Sequence, residues 1–224
     1  MDDRLRCAVD ASVGWYEDLC ALHGVGSTLR DGLWSSLTPP PPLHSDAVAV
    51  EPDVEPAQVF TALAEREHCG FKDSFSTIDG SADGLDLLFS ATWIHRPAAQ
   101  GALLTGSRWS VLTDPADLAN WTEQHGTTEV LLPGLLDRAH FKILALRADA
   151  DIVAGAVARL GSGTVDVSNV WAAHGHQLDW AELAAVVHQH FPGRPLVGYE
   201  HGPELDAAIA GGFTAVGDLR VWVR

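Results

Sequence analysis

At 224 residues the chain is about one and a half times the length at which one domain is the default. A hydrophobic share of 46% with 20% charged residues excludes a disordered polymer and a small disulfide scaffold. The 14 Lys and Arg against 30 Asp and Glu leave a net charge of -16, which repels nucleic-acid phosphates and anionic lipid surfaces alike. Cys7, Cys20 and Cys69 show no CxxC spacing, so neither a disulfide framework nor a thiolate metal site is expected. No window approaches the roughly 18 apolar residues of a membrane span. Met1-Asp2-Asp3 has the wrong charge for a signal peptide, and a cytoplasmic location is expected.

Apolar residues at helical spacing from Cys7 to Leu22 predict an amphipathic helix stopped at His23-Gly24. A short helical turn is expected over Leu29 to Leu37, ending at Pro39-Pro40-Pro41-Pro42, whose fixed φ and missing N–H groups suit an extended connector. The alternation from Asp46 to Glu51 predicts a strand, and Pro56 at a first helical position opens a helix to about His68. Leu85 to Ile94 reads as a second strand, and the run from Arg96 to Gly101 as a loop with a domain boundary near residue 100.

Beyond the boundary the pattern is cleaner. Trp109 to Thr113 predicts a strand, Asp114-Pro115 caps a helix over Ala116 to His125, and Gly126 closes it. Phe141 to Ala148, Asp151 to Leu160 and Thr164 to Trp171 are apolar runs separated by short turns, the pattern of a three-stranded meander. A helix over Leu178 to Phe191, a buried strand over Pro195 to Tyr199, a helix over Pro203 to Ala210 and a strand or strand pair over Phe213 to Val223 complete the order β-α-β-β-β-α-β-α-β.

This order resembles the GCN5-related N-acetyltransferase (GNAT) fold, and three local patterns carry the resemblance between Trp109 and Arg224. Ala154 to Ala158 followed by Thr164 to Trp171 is similar to the family's third and fourth strands, with Ser168-Asn169-Val170 like the approach to its cofactor cleft. Leu196 to Glu200 looks like the fifth strand, and Gly212-Phe213 with Val216-Gly217 is similar to the signature after the last helix. The resemblance implies an α/β (α+β) fold with a mixed, mostly antiparallel sheet flanked by helices, in a domain over residues 101–224. For residues 1–100 two readings stay open, a reduced second GNAT-like copy or added elements on one enlarged sheet.

The resemblance also implies acetyl-CoA as co-substrate, held along Val170, Trp171 and Ala172 and on the loop of Gly175, His176 and Gln177. Two departures stand out: the loop continues into Leu178, Asp179 and Trp180 where small residues are expected, and Ala208 stands where the family's acid tyrosine belongs. Glu200 and His201, after a buried strand and before a proline-opened helix, are the candidate proton acceptors, since a carboxylate beside an imidazole suits removal of a proton from an amine. The bland alternative makes Glu200 the cap of the Pro203 helix. His174, His176, His188 and His190 flank one helix roughly 18 Å apart, too far to share one ion, and no metal is expected. Two functions follow: N-acyl transfer to a primary amine, a cationic one given the acidic chain, or a catalytically degenerate GNAT-like ligand- or partner-binding protein.

Overall fold

A computed structural model describes residues 1–100 and 107–224. In chain order its elements are α1 (Asp3–Leu22), β1 (Ser27–Arg30), β2 (Leu33–Ser36), β3 (Ala47–Ala49), α2 (Pro56–Leu63), β4 (Gly70–Asp73), β5 (Asp86–Arg96), β6 (Trp109–Val111), α3 (Pro115–His125), β7 (Phe141–Ala148), β8 (Asp151–Leu160), β9 (Val165–Ala172), α4 (Trp180–His190), β10 (Leu196–Glu200), α5 (Gly202–Ala210) and β11 (Thr214–Val223). The chain forms two compact units, Met1–Trp93 with Val216–Arg224, and Ile94–Ala215. Residues 101–106, next to the expected boundary, lie outside the described residues.

The first unit orders its strands β1-β2-β3-β4-β11-β5, and from β1 to β11 the pairs are antiparallel except for the parallel pair β3 and β4. Asp2 caps α1 by accepting from the Arg4 backbone N–H at 2.9 Å. The expected helical turn over Leu29 to Leu37 is instead the hairpin β1-β2. Asp31 and Gly32, at φ 48° and 78°, make its two-residue turn, a backbone shape that a right-handed helix excludes. One core of this unit sets Val59 and Leu63 of α2 against Leu33, Ala47, Phe71 and Trp222.

Lys72 is buried, donates to Ser12 Oγ at 2.9 Å, and places its ammonium 4.7 Å from the Trp93 ring centroid and 5.7 Å from that of Tyr16. The proline run folds back rather than projecting. Pro41 is buried, and His44 ties the segment down, with Trp15 Nε1–H donating to its Nε2 and its Nδ1 2.9 Å from the Pro42 carbonyl. An indole N–H can only donate, so the Nε2 of His44 is unprotonated and its Nδ1–H is the donor to Pro42. Burial pushes the imidazole down to about 4.

The second unit orders its strands β6-β7-β8-β9-β10, again antiparallel except for its last, parallel pair. The mixed α/β fold with a mostly antiparallel sheet flanked by helices is thus present, and each unit runs a meander, a helix and a strand parallel to the meander's last member. Helices α4 and α5 pack one face, where Leu183, Val187 and Ala208 meet Ala156, Val165, Val167 and Leu196. Each fully buried Leu or Val there contributes about 1.5–3 kcal/mol over an exposed one. On the other face α3 lays Trp121 over β8, its indole N–H fixed on the Leu144 carbonyl at 3.0 Å.

Candidate functional site

The site begins with a fault in the ladder between β8 and β9. Val157 pairs with Ser168 and Gly155 with Trp171, so two steps on β8 answer three on β9. Asn169, at φ 51°, absorbs the extra residue as a β-bulge. On the other side β10 is registered with β9 at only two positions, Leu196 with Val165 and Val197 with Asp166. Both strands run on, β10 to Glu200 and β9 to Ala172, without further registered pairs between them. A gap therefore opens beside the second half of β9. The Ala173 N–H is spent on the Val153 carbonyl, so alternation along the strand aims the Ala172 amide at the opposite edge, toward the gap.

Closeness at the root of the gap depends on Gly198. A Cβ there would stand 2.5 Å from the Val167 carbonyl oxygen, so no other residue lets the strands approach and then diverge. Glu200 follows at the end of β10, half-buried, and burial first, with the charge of Glu204 second, raises its carboxyl to about 8. His201 is exposed and occupies the N-cap position of α5 without a side-chain cap bond. Glu200 is thus one residue outside that position, which corrects the alternative that made it the helix cap. Ala208, where a tyrosine acid would stand, is fully buried between helix and sheet.

The loop between β9 and α4 places Gly175, His176 and Gln177 on the surface. Gly175 takes φ 84°, and the His176 N–H turns back to the Ala173 carbonyl at 2.9 Å. Asp179 is the N-cap of α4, and one oxygen accepts from the N–H groups of Ala181 at 2.8 Å and Glu182 at 3.1 Å. Those donors, which at a helix start serve an incoming anion, are held by a carboxylate of the chain itself. Trp180 is buried edge-on against Phe213 at 5.4 Å, with Gly211 supplying the space, since a Cβ there would lie 2.5 Å from the Trp180 Cβ. The first free N–H groups of α4 are thus engaged within the chain, while the edge of Val170 to Ala172 faces the gap. His174 and His176 precede α4 and His188 and His190 close it, so the two pairs lie at opposite ends.

One cluster escaped the sequence. Trp171 stacks near-parallel to His125 (centroids 6.2 Å, 25°) and meets Trp121 edge-on at 5.5 Å. His125, at the end of α3, lies 3.2 Å by its Nδ1 from Thr127 Oγ1, and burial holds its imidazole below the usual range. The signal was Gly155 within an apolar strand: a Cβ on it would lie 2.1 Å from Trp121 Nε1 and 2.5 Å from Trp171 Nε1.

No protein-family model matches the chain, and no curated protein does. Solved structures do. A GCN5-related N-acetyltransferase from Kribbella flavida superposes with TM-score 0.61 at 15% identity, covering 96% of this chain and 95% of its own. A GCN5-related N-acetyltransferase-like protein from Streptococcus suis gives 0.58 at 12%, with all of both chains covered. A conserved protein of unknown function from Staphylococcus epidermidis gives 0.66 at 12%, over 89% of this chain and 94% of its own. The likeness extends over nearly the whole length, beyond the carboxyl-terminal half in which the local patterns lie. At such identities it speaks for architecture alone: this chain has the fold of those GCN5-related N-acetyltransferase structures.

Proposed function

We propose that the second unit transfers an acyl group from acyl-CoA, acetyl-CoA in the first instance, to a primary amine. The observation that carries this reading is the gap beside β9, opened by the Asn169 bulge and the two-residue pairing of β10. Acyl-CoA supplies an activated thioester carbonyl. The chain's own work is positioning: the gap-facing edge of Val170 to Ala172 pairs with the amide arm, and the N–H of Val170, which alternation aims to the same side as that of Ala172, stabilises negative charge developing on the carbonyl oxygen. Glu200 takes the amine proton, directly or through water, and its raised carboxyl is matched to that task just above neutral pH. His201, exposed beside it, is the second acceptor. With a net charge of -16, a cationic amine is the favoured partner. A cytoplasmic location belongs to the same reading.

Asp179 favours a second reading, a GNAT-like binding protein without transfer, because its carboxylate already occupies the start of α4. Calorimetric titration with acetyl-CoA, coupled to release of free thiol over a panel of amines, separates the two. Under the transfer reading acetyl-CoA binds and raises the melting temperature, by about 2.7 kcal/mol of stability at a hundredfold excess over Kd. Absence of binding at millimolar acetyl-CoA refutes it. Asp179→Ala sharpens the result, since freeing the two N–H groups should tighten acetyl-CoA binding if the diphosphate docks there.

A further inference from the structure

The bulge at Asn169 has an effect besides opening the gap. Val165 and Val167 point into the core beneath α4, and unbroken alternation would send Trp171 to that face as well. The extra residue reverses the alternation: Val170 joins the α4 side, and Trp171 turns to the opposite face, against Trp121 and His125 of α3. The same distortion that opens the gap therefore sets an aromatic side chain at its end.

The resulting cluster is unevenly held. Trp121 is fully buried and tied to Leu144, whereas Trp171 and His125 are only half-buried. The Trp171 indole N–H is enclosed and has no hydrogen-bond partner among the described residues. His125 is neutral, so it does not repel a cation. Small apolar residues would fill this space without enclosing a bare N–H; instead β8 gives up a side chain at Gly155 to admit the two indoles.

We infer that Trp171 and His125 form the acceptor-side subsite, and that it takes an amine carried on a planar aromatic ring. Near-parallel rings reward a third flat face stacked or set edge-on against them, which a puckered aliphatic ring of the same size does not supply. The inference rests on the proposed transfer reading for the word acceptor, but binding of the amine is measurable without acyl-CoA.

The test is isothermal titration of the full chain with 2-phenylethylamine and with 2-cyclohexylethylamine, which carry the same ammonium on the same two-carbon linker. Wild type should bind the planar amine about tenfold more tightly. Trp171→Leu should bring the two affinities together, and His125→Gln, at a half-exposed helix end, should narrow the difference in a variant expected to fold even if the first does not. Circular dichroism and thermal unfolding establish that each variant is folded. Equal affinities in wild type, as attraction of the ammonium alone would give, overturn the inference. So does no binding of either amine at millimolar concentration, or a preference that survives both substitutions. A planar preference without acetyl-CoA binding would retire the transfer reading while leaving the subsite standing.

Discussion

Gly155→Ala adds one methyl group at the most crowded point of the second unit. The new carbon would stand 2.1 Å from Trp121 Nε1, 2.5 Å from Trp121 Cε2 and 2.5 Å from Trp171 Nε1, all well inside van der Waals contact. Trp121 is fully buried and its N–H is bonded to Leu144, so relieving the shortest contact displaces that ring from its bond, and Trp171 must shift with it. Overpacking of this kind costs about 1–3 kcal/mol, and losing the Trp121 bond adds about 1 kcal/mol. Stiffening of the unfolded chain by alanine returns about 0.4–1 kcal/mol. The net loss should be about 2–3 kcal/mol, read from urea unfolding at constant m and accompanied by altered tryptophan emission. Gly175→Ala serves as the contrast: its Cβ meets nothing within 4 Å, and only its φ of 84° is penalised, so its loss should be about 1 kcal/mol with unchanged emission. A Gly155→Ala protein within about 0.5 kcal/mol of wild type, or two glycine variants that behave alike, would refute the claim that indole crowding governs this face.

Stability should also report on His44. Its imidazole is neutral when folded and lowered to about 4, so the unfolded chain binds the extra proton between pH 4 and about 6.5; stability should fall through that window on acidification, and His44→Phe should flatten the slope. Glu200 has the opposite sign. Its carboxyl is raised to about 8, so stability drains as pH climbs from about 4.5 to 8, and Glu200→Gln should remove that loss in pH-dependent melting. If Glu200 is the base, the same variant should cut turnover by about a hundredfold at pH 8 with acetyl-CoA affinity unchanged, as steady-state kinetics and titration together would show. Deleting residues 216–224 removes the registered partners of Gly70 to Asp73 and the buried Trp222, and amide exchange should become fast throughout β3 and β4; protection there that matches the full chain would count against the assignment of β11 to the first unit.

Legibility in the sequence tracked how far local and tertiary signals agreed. Phe141 to Ala148 and Asp151 to Leu160 were bounded to the residue, because two long apolar runs enclose a two-residue turn with Asp149 at φ 53°. Leu29, Leu33 and Leu37 recur every four residues and so imitate a helix, although only Leu33 is buried and Asp31-Gly32 forces a hairpin. The strand β4 was hidden because its four buried residues include Lys72 and Asp73, which no apolar pattern predicts. At the site, Glu200 and the Val170 to Ala172 edge were visible as the ends of recognisable strands. The turn of Trp171 toward His125 was not, since it depends on one surplus residue in a register that only pairing reveals.

The path of the chain through β5 and β11 bears on how the protein is made. Residues up to Trp93 belong to one unit and Ile94 to Arg96 to the other, while β11 passes back from Ala215 into Val216. During synthesis the amino-terminal region therefore emerges as a sheet whose β4 waits for a neighbour that the ribosome has yet to translate. Lys72 already has Ser12 and Tyr16 of α1 beside it, but the open β4 edge is available to any other strand in reach. Nascent chains of this protein should accordingly depend on chaperones until the whole second unit has passed, with completion of the first unit left to a single late event.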